Sequence, residues 1–316
     1  MNAYINDEFG TPDVMKLAEI AKPVPKSNEV LIRNVAASVN PADYHMLRGT
    51  PRFFRIMGMG LFKPKHRTLS SDVAGIVEAA GDDIKNFKVG DTVFGELSGG
   101  GFAEFSLAKE NQIVKKPEAV SFKSAAGIGI AATTARWALF EKGNLQPGQK
   151  VLIIGASGGV GTFAVQMAKA IKAHVTAVCS SRNVELVSSL GADRVIAYDK
   201  TDILTLDNEF DLIADVAGTL TIPQQKKLLT KNGRGITVGV DSFSRLVAFM
   251  IRAPFASSKK GKSFVVLTIK TRPEDLIYAA DLIATGNMKT VIDREYPFDQ
   301  VKEAMHYQIT KRARGK

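Results

Sequence analysis

The sequence predicts an α/β protein in two parts: a β-rich domain assembled from both ends of the chain, and a doubly wound parallel sheet inserted between them. Three observations predict it. Short Val/Ile-rich runs fill the first third of the 316 residues, strand-like and helix-like runs alternate from about residue 123, and a glycine cluster at 155–161 sits where a strand hands over to a helix. A chain of this length suits about two domains. The expected division is 1–122 with 271–316 for the β-rich domain and 123–270 for the parallel sheet.

In order along the chain, EVLIRNVAASV (29–39), DVAGIVEAAG (72–81) and VGDTVFGEL (89–97) are runs bounded by Asn, Asp and Gly, the pattern of antiparallel or barrel-like strands. There follow VLIIGA (151–156), GGVGTFAVQMAKAI (158–171), HVTAVCS (174–180), NVELVSSLG (183–191), RVIAY (194–198), FDLIADVAG (210–218), GRGITVGV (233–240) and SFVVLTI (263–269). Strands separated by helical runs predict a parallel sheet with crossovers. No charge stands between Lys150 and Lys169, a run long enough to suggest a membrane span. Its four glycines instead divide it into a short strand and a separate helix, and a strand buried on both faces is apolar throughout. The segments at 273–286, 289–298 and 299–309 predict helix, strand and helix, rejoining the first domain.

The formal net charge is +10, and the excess is clustered: residues 52–67 and 245–262 each hold five Lys or Arg and no acid, and the last six residues hold four. A single cysteine, Cys179, closes no intramolecular disulfide and supplies no cysteine-based zinc site. The start MNAYINDEFG lacks the apolar segment of an export signal. These features predict a cytoplasmic, metal-free protein.

The strongest chemical signal is GASGGVG (155–161), after the apolar strand VLII and before a helix with Phe163, Val165, Met167 and Ala168 at apolar positions. Gly155 allows the tight turn, Gly158 and Gly159 leave room for a pyrophosphate at the backbone, and Gly161 lets helix and strand approach. With Ala156, Ser157 and Val160 these residues form a dinucleotide cradle on a helix N-terminus, whose orphan N–H groups and dipole favour an anion. An acid at the end of the next strand would hold the free ribose of NAD. Here the strand runs into Ser180, Ser181 and Arg182, so Ser180 and Arg182 predict a 2′-phosphate and hence NADPH.

With these features the whole chain resembles a medium-chain dehydrogenase/reductase of the zinc-independent, quinone oxidoreductase-like branch. The resemblance is carried by FGTPDVMKL, NPADYHMLRG (40–49), DVAGIVEAAGDDIKNFKVGDTVFGE (72–96), GGFAEF (100–105), Thr134-Ala135, GASGGVG, LGADRVIAY (190–198) and TVIDREYPF (290–298). It implies a GroES-like catalytic domain from both chain ends, an inserted Rossmann domain, nicotinamide in the cleft between them, and a homodimer. Zinc-dependent relatives carry Cys where Asn40 stands and His-Glu where Ser71-Asp72 stands, so the resemblance implies no zinc here. It places Asn40 beside nicotinamide and substrate as a donor to oxygen, with Asp43 fixing its loop. A tyrosine common two positions after Asp43 is His45 here, preceded by Tyr44, and either side chain could reach a substrate oxygen. Thr134 matches a residue near the nicotinamide, Tyr198 one near the adenosine phosphate, and Val238 and Gly239 end a strand at the cleft edge. Relatives usually continue past Gly315-Lys316 into a last strand, so either the sequence as given is trimmed or the catalytic domain lacks an edge strand, and an uncovered edge would pair with something else or lower stability.

Without a Lewis acid, acceptors that delocalise the incoming electrons are favoured: a quinone or an α,β-unsaturated carbonyl. The rivals are an enoyl-thioester reductase on the same scaffold and a non-catalytic NADPH-binding protein on membrane or nucleic acid. Residues 52–67 intersperse Phe53, Phe54, Ile56, Met57, Met59, Leu61 and Phe62 among the positive charges. The resemblance puts this region at the border of the substrate cleft and so implies first an adaptable wall for an apolar acceptor; the composition itself also allows a peripheral membrane contact and, least, a nucleic-acid surface. Residues 245–262 share that composition.

Overall fold

The computed structural model describes residues 1–50, 55, 60–206, 209–239, 243–258 and 261–316. In chain order the strands and helices are β1 (Asn2–Ile5), β2 (Lys16–Glu19), β3 (Glu29–Ala37), α1 (Pro41–Arg48), β4 (Asp72–Ala80), β5 (Thr92–Glu96), β6 (Phe105–Lys109), β7 (Ile113–Lys115), α2 (Phe122–Ala126), α3 (Gly129–Arg136), β8 (Lys150–Ile154) and α4 (Gly159–Ala170). They continue with β9 (His174–Cys179), α5 (Val184–Ser189), β10 (Arg194–Ala197), β11 (Phe210–Asp215), α6 (Ile222–Leu228), β12 (Leu229–Thr237), α7 (Phe243–Ala256), β13 (Ser263–Val266), α8 (Pro273–Ala284) and α9 (Val301–Ile309). Contacts divide the chain into two compact units. Unit 1 is Met1–Ile130, Thr271–Arg314 and Lys316; unit 2 is Ala131–Lys270 and Gly315.

Unit 1 holds a five-stranded antiparallel sheet in the order β6-β3-β4-β5-β7 and the hairpin β1-β2. Val30, Ile32, Val73, Val77, Val93 and Ile113 cluster from its strands, the period-2 burial of a sheet with one inward face. A second cluster explains why the two chain ends share a unit: Tyr4, Met15 and Leu47 pack with Val301 and Met305 of α9, and the Tyr4 hydroxyl donates to Asp299 O at 2.6 Å.

One expected element is missing. Residues 289–297 form no strand. Apart from a local turn in which Gln300 N donates to Pro297 O (2.9 Å), their backbone pairs where Lys316 N donates to Val291 O (2.8 Å) and Asp293 N to Lys316 O (2.6 Å), and Pro297 brings no N–H. A ladder needs a run of such pairs, which two bonds to one residue do not provide.

Unit 2 is a six-stranded, all-parallel sheet in the order β10-β9-β8-β11-β12-β13. Val151, Leu152 and Ile153 of β8 are fully buried, as are Phe163, Val165 and Met167 of α4, so the uncharged run at 151–168 is a central strand and a covering helix. No described helix is long and apolar enough to cross a membrane. Chain order reverses at β8, with β9 on one side and β11 on the other; the carboxyl ends flanking such a switch point open a ligand crevice. Residues 245–256, read from sequence only as a basic apolar stretch, belong to the 14-residue helix α7.

Candidate active site

The glycine cluster lies at that crevice. β8 ends at Ile154, Gly155 turns with φ +79°, and Gly155 and Ala156 N–H both donate to Val178 O of β9 (3.1 and 3.0 Å). The turn closes where Gly158 N donates to Gly155 O at 3.1 Å, and Gly158 (φ −85°, ψ 178°) caps α4. The first intrahelical donation is Thr162 N to Gly158 O at 2.9 Å. The N–H groups of Gly159, Val160 and Gly161 are therefore the orphan donors of the first turn. A Cβ built on Gly158 would meet only Gly155 O, at 3.6 Å, so the mouth of the loop is open to a ligand; one on Gly161 would lie 2.2 Å from Gly155 O. This cradle fits a pyrophosphate. Ser157 lines it with its carbonyl accepting from Gly315 N (2.9 Å) and its hydroxyl from Asn183 Nδ2 (2.9 Å).

After β9, residues Ser181–Asn183 form one 3₁₀ turn capped by Ser180, with Arg182 exposed. The fold brings to it a carboxylate that reading along the chain misses. Asp199 accepts from Ser181 N (2.8 Å) and Ser181 Oγ (2.6 Å), and these bonds hold its pKa below the ordinary value. The rule sought an acid directly after β9, whereas this one follows β10. Parallel pairing of Ala197 with Cys179 is the register that places 199 opposite 181. Tyr198, 63% exposed, stands beside it.

In unit 1, Asn40 precedes α1 and is buried at 4% exposure. Its Nδ2 donates to Asp72 Oδ2 at 2.9 Å, and its Oδ1 accepts from Lys316 Nζ. Lys316 Nζ also lies 3.5 Å from Asp72 Oδ2, while Asp72 Oδ1 accepts from Ile130 N at 2.9 Å. Asp43 accepts from Asn40 N (2.7 Å) and Ser70 N (3.0 Å), tying α1 to the segment before β4. Glu96, at the end of β5, accepts from the Thr271 hydroxyl. Sequence reading missed Lys316, which reaches the cluster only through the fold.

Burial pushes the Asp43 carboxyl up to about 7, with the charge of Asp72 adding to it and the donors from Asn40 and Ser70 and the Lys316 charge opposing. Burial also pushes Glu96 up to about 7, again with Asp72 adding. Burial pulls the Lys316 ammonium down, and Asp72, Asp43 and Glu96 hold it up. Between the ordinary carboxyl values of 3.8 and 4.5 and about 7, the folded state therefore holds protons that the unfolded chain has released, so stability falls as pH rises through that window. Glu96→Gln should raise the unfolding midpoint at about pH 8 more than at about pH 5. Thermal melts at both values check this, and an equal shift at both sinks it.

The other expected residues are dispersed. Tyr44 is half-buried on α1 against the cluster of Tyr4 and Leu47, with the Arg48 guanidinium 5.5 Å from its ring centre. His45 is on the exposed side of α1; surrounding protein, then the charges of Lys311 and Arg48, push its pKa down. Thr134 is buried on α3 in unit 2, and Val238 and Gly239 follow the carboxyl end of β12. Cys179 is buried at the end of β9, which raises its thiol pKa. Of the basic segment at 52–67, positions 52–54 and 56–59, with Phe53, Phe54, Ile56, Met57 and Met59, lie outside the described residues; Leu61 and Phe62 are exposed.

A glycine cradle at the switch point of the parallel sheet in unit 2, and an antiparallel sheet in unit 1, to which both chain ends contribute, are together the architecture of a dinucleotide-dependent oxidoreductase. Residues 26–118 match the family model described as "Alcohol dehydrogenase GroES-like domain" and residues 190–316 the one described as "Zinc-binding dehydrogenase". The chain is 35% identical to the chloroplast envelope quinone oxidoreductase homolog of Arabidopsis thaliana over 94% of its length and 91% of that protein's. It is 34% identical to the quinone oxidoreductase of Homo sapiens, covering 94% of this chain and 90% of that one. Among solved structures, the quinone oxidoreductase from Coxiella burnetii superposes with a TM-score of 0.88 at 29% identity, covering 100% of this chain and 97% of the other. The chain belongs to the medium-chain dehydrogenase/reductase superfamily, among its quinone oxidoreductase-like, NAD(P)H-dependent members.

The zinc in one matched description does not suit the donors present. An amide, a hydroxyl and a carboxylate stand at Asn40, Ser71 and Asp72, the amide is bonded to both Asp72 and Lys316, and an ammonium already neutralises Asp72. Zinc favours thiolate and imidazole ligands.

Proposed function

We propose that this protein is an NADPH-dependent reductase that passes hydride to a quinone or an α,β-unsaturated carbonyl without a metal. The observation that carries the reading is the Asn40–Asp72–Lys316 cluster, where organic donors and a fixed ammonium take the place of Lewis-acid ligands. When bound, NADPH supplies the hydride. The first turn of α4 holds the pyrophosphate, Ser180 and Arg182 hold the 2′-phosphate, and the bonds that Ser181 donates to Asp199 keep that turn in shape. Thr134, Tyr198, Val238 and Gly239 complete the cofactor contacts. Asn40 Nδ2 carries two N–H groups, of which Asp72 accepts one; with Tyr44 or His45 it provides donors to the oxygen that gains charge. The same reading includes a homodimer.

The experiment is initial-rate oxidation of NADPH and NADH with quinones, enones, enoyl-CoA and simple aldehydes under a strong chelator. Turnover of quinones or enones with NADPH preferred is the expected result, and turnover of enoyl-CoA alone overturns the acceptor. Arg182→Ala should raise the KM for NADPH by about tenfold, the value of one charge-assisted hydrogen bond, and leave that for NADH nearly unchanged. Equal weakening of both would remove the phosphate from Arg182.

A further inference from the structure

We propose that unit 2 docks through α7 onto an anionic phospholipid surface. The helix is apolar on two faces. Phe249 and Ala253 turn inward to the core beside Phe264 and Leu228. On another side Met250 and Ile251 are each 59% exposed and Phe255 is 89% exposed, with Pro254 between them also exposed. The spacing i, i+1, i+4, i+5 places these four on a single stripe. A helix that is apolar outside as well as inside leaves its outer stripe for a further apolar medium. The two charges on the helix, Arg245 and Arg252, are both positive.

The sequence on either side of α7 is basic. Residues 222–267 contain nine Lys or Arg and one acid. At the carboxyl end of α7, Lys226, Lys231 and Lys262 surround an open cavity of about 590 Å³ with Thr230, Ala256 and Ser258. Lys262 Nζ donates to Lys226 O (2.5 Å), and Ala256, the neighbour of the exposed Phe255 in the chain, shares the cavity lining with the three lysines. An apolar stripe ending in a basic pocket matches a bilayer whose hydrocarbon boundary takes the Phe and Ile side chains while the phosphates of its headgroups meet the lysines. A second copy of this chain suits the face poorly, since pairing it with itself would set one basic cluster against another. Nucleic acid would leave the aliphatic part of the stripe uncovered. At 14 residues the helix lies on the surface and does not span it.

This inference does not depend on the acceptor or on NADPH preference. The experiment is cosedimentation of the full chain with vesicles of phosphatidylcholine alone and of phosphatidylcholine mixed with phosphatidylglycerol, at low and high salt. Binding is expected only to the mixed vesicles, and high salt should release most of it. Phe255→Ser should weaken binding about tenfold or more, and Lys231→Ala about fivefold, the effect of one basic residue near a charged surface. Both positions are exposed, so melting temperature and far-UV circular dichroism should match the parent and establish folding. Failure to bind at low salt overturns the proposal. So does binding that survives Phe255→Ser, a loss of self-association in that variant, or capture of a short DNA or RNA in preference to the mixed vesicles.

Discussion

Asp72→Ala is expected to destabilise the protein by about 3–5 kcal/mol, the usual cost of removing one partner from a buried ion pair. Asp72 is completely buried and serves three donors: Asn40 Nδ2, Ile130 N and the Lys316 ammonium. Alanine strands the ammonium in a site where burial already works against its charge. Asn, which preserves an acceptor for Ile130, should cost less. The more discriminating variant is Lys316→Met. It leaves Asp43, Asp72 and Glu96 without their cation, and Lys316 is one of the influences now holding Asp43 and Glu96 down. Both carboxyls should then titrate higher, moving the pH-dependent loss of stability upward. Because the combined Asp72→Ala, Lys316→Met protein buries neither the carboxylate nor the ammonium of the pair, it should be more stable than Asp72→Ala alone. Urea unfolding of the four proteins measures the coupling, and additive losses would show that the pair does not interact.

Features set by neighbours in sequence were the legible ones. The cradle at 155–161 could be read because a strand, four glycines and a helix follow each other directly, and each glycine meets its constraint within a few residues. The strands around residues 29–37, 72–80 and 150–154 announced themselves as short Val/Ile-rich runs. What depends on partners far along the chain was not legible. Lys316 joins Asn40 and Asp72 across 276 residues in one bond, and the last basic cluster of the sequence gave no reason to pick this lysine as the buried one. Asp199 reaches Ser181 only through the β9–β10 register. Residues 289–298 read as a strand between two helical runs, yet the side chains cannot supply the neighbouring backbone a ladder requires. At α7 the difficulty was of another kind: a helix apolar on both sides has no single hydrophobic face, so periodicity did not reveal it.

Two glycines of the cradle should separate folding from binding. Gly161→Ala puts a methyl 2.2 Å from Gly155 O and 2.6 Å from Ala156 Cα. Both obstacles are backbone, so α4 must move away from β8, at a cost of about 1–3 kcal/mol or more for overpacking. The same displacement carries the N–H groups of Gly159, Val160 and Gly161 off their aim. Gly161→Ala should therefore lose both melting temperature and NADPH affinity. Gly158→Ala is different. Its backbone angles suit any L-residue, and the new methyl meets only Gly155 O at 3.6 Å, so stability should change by less than about 1 kcal/mol. The methyl nevertheless occupies the open mouth in front of the first-turn donors. Pushing an anion away from one or two of them costs about 1.5–3 kcal/mol, or roughly tenfold or more in affinity. NADPH titration followed by nicotinamide fluorescence, set beside thermal melts, tests both variants. If Gly158→Ala bound NADPH as tightly as the parent, the pyrophosphate would have to lie elsewhere, and the assignment of this loop as the cofactor cradle would fall with it.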